Sequence, residues 1–96
     1  MTAYWINTFI EISDETKLAG YLELAGPAML AGGGRFLARG TPARTFEGGG
    51  TNLRTSLIEF DSVAAAVAAY ESPAYQEALR VLDGGARREI RILEAL

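Results

Sequence analysis

The chain has 96 residues, 49% of them hydrophobic, with a net charge of −3, no cysteine and no histidine. That is room for one small domain (1–96), and the clear helical and strand patterns argue against disorder. Disulfides, thiol catalysis and thiolate or imidazole metal sites are excluded, and neither a metal nor a cofactor is expected. The acidic balance argues against nucleic-acid binding. The longest apolar run, "VAAAVAAY" (63–70), is far too short to span a membrane. The N-terminus lacks a leader pattern, so a cytoplasmic location is expected. Charge is uneven: Arg35, Arg39, Arg44 and Arg54 face only Glu47 between residues 34 and 54, a local balance of +3 that leaves −6 elsewhere.

"AYWINTFIEI" (3–12) is rich in β-branched and aromatic residues and reads as a strand. Alternation puts Tyr4, Ile6, Thr8, Ile10 and Ile12 on one face and Trp5, Asn7, Phe9 and Glu11 on the other. Both faces are apolar, so both should be covered. In this reading a lone chain would expose much of the Trp5 and Phe9 face, and a second copy would cover it.

Ser13 or Asp14 caps a helix over 13–31, with Leu18, Tyr21, Leu22, Ala25, Met29 and Leu30 at helical spacing. Pro27 predicts a kink or a restart, and Gly32–Gly34 a stop. "RFLAR" (35–39) is a short strand, "GTPA" a turn, "RTFE" (44–47) a resumed strand, and "GGGTN" (48–52) a loop. "LRTSLIEF" (53–60) is the next strand.

Asp61 or Ser62 caps a helix with Val63, Ala66, Val67 and Tyr70 on one face. Ser72–Pro73 breaks it and restarts it, giving a second stripe of Tyr75, Ala78, Leu79 and Leu82. Gly84 and Gly85 end that helix, and "RREIRILEAL" (87–96) is the last strand, with Ile90 and Ile92 on one face. The order βαββαβ with right-handed crossovers predicts an α+β, ferredoxin-like fold. Its four-stranded antiparallel sheet carries the helices on one face, with the first and third strands central.

Two motifs carry a resemblance. "GGRFLARG" (33–40) behind a first helix, and "IEFDSVAAAVAAYESPAYQEA" (58–78) with its Ser-Pro-x-Tyr-Gln restart, resemble the small bacterial family named domain of unknown function 1330. Family members often have proline after Glu-Phe, where this chain has Asp61, a departure expected to affect only helix capping. The resemblance covers nearly the whole chain. It implies a protomer of the dimeric α+β barrel superfamily, in which two sheets pack face to face. That superfamily includes cofactor-independent monooxygenases, isomerases and stress-response proteins. The resemblance implies a homodimer but no reaction.

"GGGRFLARG" fits no phosphate cradle, because its glycines leave a helix and enter a strand, and no Lys-Ser/Thr follows. It reads as a helix stop. Arg35 and Arg39, four apart, should share one strand face, either as anion contacts with Arg54 or as edge charges that block aggregation. Asn7 is a buried amide that needs partners, from a ligand or from its neighbours. Trp5 and Phe9 line a pocket or simply fill the core. Tyr70 and Tyr75 flank the Ser-Pro break and reach a pocket between helices and sheet, or pack there. Glu59 is a base if buried, and otherwise a salt-bridge partner.

Three functions remain open on these residues. One is a small-molecule binding protein without turnover. A second is a cofactor-independent monooxygenase or isomerase acting on a small aromatic or acidic metabolite, with Asn7, Arg39, Arg54 and Tyr75 orienting it. The third is an interaction module with no pocket at all.

Overall fold

A computed structural model describes residues 1–48 and 54–96. The loop expected at 48–52 and the strand start expected at Leu53 therefore fall almost wholly outside the described residues. Strands β1 (Ala3–Ile12), β2 (Arg35–Gly40), β3 (Thr55–Phe60) and β4 (Ala86–Glu94) form one sheet in the order β2-β3-β1-β4. Every pairing is antiparallel, with β1 and β3 central. Helices α1 (Glu15–Ala31), α2 (Val63–Glu71) and α3 (Pro73–Leu82) cover one face. This is the ferredoxin-like fold, with its second crossover divided at Ser72. The Ser72 hydroxyl accepts from Tyr75 N–H and donates to the Ala69 carbonyl, so one side chain closes α2 and opens α3.

Asp14 caps α1, accepting from the N–H groups of Thr16 and Lys17 at 3.0 Å each. Ser62 rather than Asp61 caps α2. Pro27 does not break α1, which runs unbroken to Ala31. The helix stop is a Schellman closure: Gly33 N–H reaches the Leu30 carbonyl and Gly34 N–H the Met29 carbonyl. Gly33 has φ +90°, a conformation glycine adopts without penalty. Those N–H groups are consumed by the helix end, so "GGGRFLARG" is a stop and not an anion cradle.

Two β-bulges alter the alternation. In β1 the register slips between Phe9 and Glu11, so Ile12 joins the core face and Glu11 the outer one, contrary to strict period two. In β2 it slips between Phe36 and Ala38, so Arg35 pairs opposite Glu59 while Arg39 lies opposite Ser56. Arg35 and Arg39 therefore do not share a face. Thr45 and its neighbours form no resumed strand.

Trp5, Phe9, Phe60, Tyr75 and Met29 are the largest fully buried side chains, all within the single chain. The expectation that a lone chain exposes Trp5 and Phe9 is thus corrected, because the helices cover that face. The uncovered face is the other one, where Ile10 and Leu93 stand exposed beside the half-buried Tyr4, Ile6 and Leu57. On α2, Ala66 and Ala69 are buried, whereas Val63, Val67 and Tyr70 are exposed. Leu30 of α1 is exposed too. Small alanines win the buried positions because α2 lies close to its neighbours, and a Cβ on Gly32 would sit 2.8 Å from that of Ala69.

Candidate functional site

Between α1 and the core face of the sheet lies a cavity of about 320 Å³. Its roof is the inner side of α1, with Tyr21, Leu22, Ala25, Gly26 and Met29; Glu23 stands at its edge. Its floor comes from Trp5, Asn7 and Phe9 on β1, Phe36 and Arg39 on β2, and Ser56 and Ile58 on β3. Arg54, just before β3, and Tyr75 of α3 complete the lining. Trp5, Asn7, Phe9, Arg39, Arg54 and Tyr75 thus converge on one space. The convergence follows from strand parity, helped by the β2 bulge that turns Arg39 inward.

Tyr70 and Glu59 stand apart. The Tyr70 ring packs on Trp5 and Tyr75 with centroids 5.9 and 5.3 Å away, but does not line the cavity. Glu59 is on the outer face, where its carboxylate accepts from Arg35 Nε at 2.9 Å; Arg35 also pairs with Asp61 at 3.0 Å. It serves as a salt-bridge partner there.

Polar groups in the lining are incompletely paired. Asn7 is 5% exposed, and its Oδ1 has no hydrogen-bond partner among the described residues. Arg54 Nε is likewise buried and unpaired among them. Arg39 lays its guanidinium over the Phe36 ring, 4.9 Å from the centroid, which orients the cation without neutralising it. Arg39 and Arg54 outnumber the one carboxylate, Glu23, so the cavity favours an anion.

At the α1–α3 side the Tyr21 and Tyr75 hydroxyls lie 2.7 Å apart, and Arg88 Nη1 donates to both, at 2.6 and 3.1 Å. Burial, reinforced by the neighbouring Tyr75 phenol, pushes the Tyr21 phenol far above its ordinary range despite the opposing guanidinium. Tyr21 is therefore a neutral phenol at any physiological pH. Arg88 was not among the residues singled out from the sequence. A signal exists: Arg88 shares strand parity with Ile90 and Ile92, the face that packs against the core.

A profile of the "Domain of unknown function (DUF1330)" matches residues 2–96. The chain belongs to the DUF1330 family. No curated protein matches it. Among solved structures, the RPA0582 protein of unknown function from Rhodopseudomonas palustris superposes with a TM-score of 0.78 at 20% identity, over 99% of this chain and 82% of that one. A dimeric ferredoxin-like protein of unknown function from Jannaschia sp. CCS1 gives 0.72 at 19%, over 99% and 100%. SnoaB, a cofactor-independent oxygenase from Streptomyces nogalater, gives 0.69 at 13%, over 99% and 93%. At these identities the likeness concerns the fold alone. This DUF1330 chain therefore shares its architecture with uncharacterised proteins and with an enzyme alike. Among its described residues no helix is long and apolar enough to cross a membrane.

Proposed function

We propose that this DUF1330 protein is a single-domain homodimer that binds a small, acidic, aromatic metabolite in the cavity beneath α1. The observation that carries this reading is the pair of unpaired buried atoms, Asn7 Oδ1 and Arg54 Nε, on residues lining a largely apolar cavity. Each unmet buried polar group costs about 1–3 kcal/mol, and a ligand with a donor and an acceptor would recover it. The aromatic floor suits a planar ring, and Arg39 and Arg54 suit its carboxylate. The dimer is supported by the apolar outer face and by fold neighbours described as dimeric.

Native mass spectrometry of freshly purified protein tests both parts. The expected result is a dimer carrying a stoichiometric small mass that the Arg54→Ala variant loses. A dimer with no cargo, and no uptake of benzoate at millimolar concentration, would sink the ligand reading. A bare monomer would sink the assembly. The buried tyrosine pair beside the cavity favours a second reading, turnover of the same ligand without a cofactor. Its check is whether the bound mass changes in air with wild-type protein but not with Tyr75→Phe.

A further inference from the structure

The two tyrosines and Arg88 contain more hydrogen-bond donors than their own contacts use. Arg88 Nη1 donates to both phenol oxygens, so neither oxygen needs another donor. One phenol O–H lies in the 2.7 Å contact between the two oxygens. The other has no protein acceptor among the described residues, yet both side chains line the cavity. Whichever tyrosine donates to the other, one O–H is left over on a residue that lines the cavity.

This donor is held by Arg88 on the β4 side of Phe9, whereas Arg54 lies on the β3 side. Arg54 and Arg88 flank Phe9 on the core face. The Phe9 N–H bonds to the Arg54 carbonyl across the β1–β3 seam, and Phe9 lies opposite Arg88 across the β1–β4 seam. Two strand spacings, roughly 10 Å, separate the backbones that carry them. Between Arg54 and Arg88 lies the Phe9 ring, its centroid 6.0 Å from the Arg88 guanidinium.

We infer that the ligand carries an oxygen at each end: a carboxylate held by Arg39 and Arg54, and an opposite phenolic, enolic or keto oxygen that accepts from the Tyr21–Tyr75 pair, with Arg88 holding the pair in place. This rests on the reading of the cavity as an acid-binding site and narrows the class to hydroxy- or oxo-substituted planar acids. Arg88 is a positioning residue here, since it touches the phenols and not the cavity.

Benzoate and 4-hydroxybenzoate are suitable probes, measured by titration calorimetry. The para-hydroxyl should tighten binding about tenfold in the wild-type protein, the effect of one good buried hydrogen bond. The double variant Tyr21→Phe/Tyr75→Phe, its fold certified by circular dichroism, should bind the two probes with equal affinity, losing the gain from the hydroxyl. Equal affinity of the two probes for the wild-type protein, with benzoate binding still dependent on Arg54, would overturn the two-ended ligand and leave the acid site standing. A hydroxyl gain that survives in the double variant would also overturn it. If neither probe binds, both readings fall together. A third probe isolates Arg88: 4-hydroxy-3-nitrobenzoate, whose phenolate is coloured, should show a lowered phenol pKa when bound. Arg88→Met should abolish that shift while leaving benzoate binding unchanged. An unchanged shift in Arg88→Met would remove Arg88 from the assignment.

Discussion

Asn7 is where binding and stability compete. Its Oδ1 is buried without a partner among the described residues, in a strand whose other buried residues are Ala3, Trp5 and Phe9. Asn7→Val removes the unmet acceptor and adds strand propensity. We expect a gain of about 1 kcal/mol, or roughly 4–8 °C in Tm for a domain this size, together with loss of bound ligand. Thermal denaturation beside calorimetry checks it, and a destabilised Asn7→Val would mean the amide is satisfied in the free protein. Tyr21 gives a prediction in pH. Its folded-state phenol sits above the ordinary value of 10.0, so the unfolded chain ionises first as pH rises. Its contribution is complete below about pH 10 and is lost progressively above it. Denaturant midpoints should therefore fall through the alkaline range, and Tyr21→Phe should flatten that slope. Six lining residues, Trp5, Asn7, Phe9, Arg39, Arg54 and Tyr75, are candidates on the sequence alone: a lone amide among apolar groups, aromatics, and arginines of a basic stretch. Arg88 was not singled out, because an arginine on an edge strand ordinarily reads as solvated charge.

At the level of elements, periodicity located every helix and strand, and the capping residues located most of their ends. What it missed were the bulges. A bulge adds one residue to a strand without changing residue type, so Leu37 and Ile10 look like ordinary members of an alternating run. Four-residue spacing thus put Arg35 and Arg39 together when the chain divides them between an ion-pair ladder and a cavity. Helix α2 adds a related point: Val63, Ala66, Val67 and Tyr70 share a face by spacing, but the tight approach to Gly32 makes the alanines, Ala66 and Ala69, the buried residues. Helix α1 offers the sharpest test at this scale. A Cβ at Gly26 would meet nothing within 4 Å, and glycine inside a helix costs about 0.5–1 kcal/mol relative to alanine. Gly26→Ala should raise stability by that amount in chemical denaturation, whereas Gly26→Leu should weaken benzoate binding at least tenfold by filling the cavity. Unchanged affinity in Gly26→Leu would place the ligand elsewhere.

For the whole molecule, the sequence's two-faced β1 pointed to a partner, and the structure changes which face must meet it. The helices already cover Trp5 and Phe9, so a second copy has only the Ile6, Ile10, Leu57 and Leu93 side to cover. Leu57→Asp, placed in the centre of that side, should turn a dimer into a monomer in sedimentation velocity while leaving the cavity's lining intact. Retention of the dimer would move the interface to another surface. Dissociation would put assembly and ligand capture on opposite sides of one sheet, separated by the thickness of the pleat.

The roof of the cavity has an evolutionary consequence. The polar ends of the site are built on the sheet, on Arg54, on Tyr75 of α3 and on Tyr21 in the first half of α1, but the headroom above them is set by Ala25, Gly26 and Met29 in its second half. Among the described residues, nothing lies within 4 Å of a Cβ added at position 26. A lineage can therefore change the size of what it carries through one codon on a surface-facing helix, keeping the recognition chemistry and the hydrogen-bonded sheet untouched. Divergence of cargo in such a scaffold should be concentrated on α1, and drift on the strands should be slow.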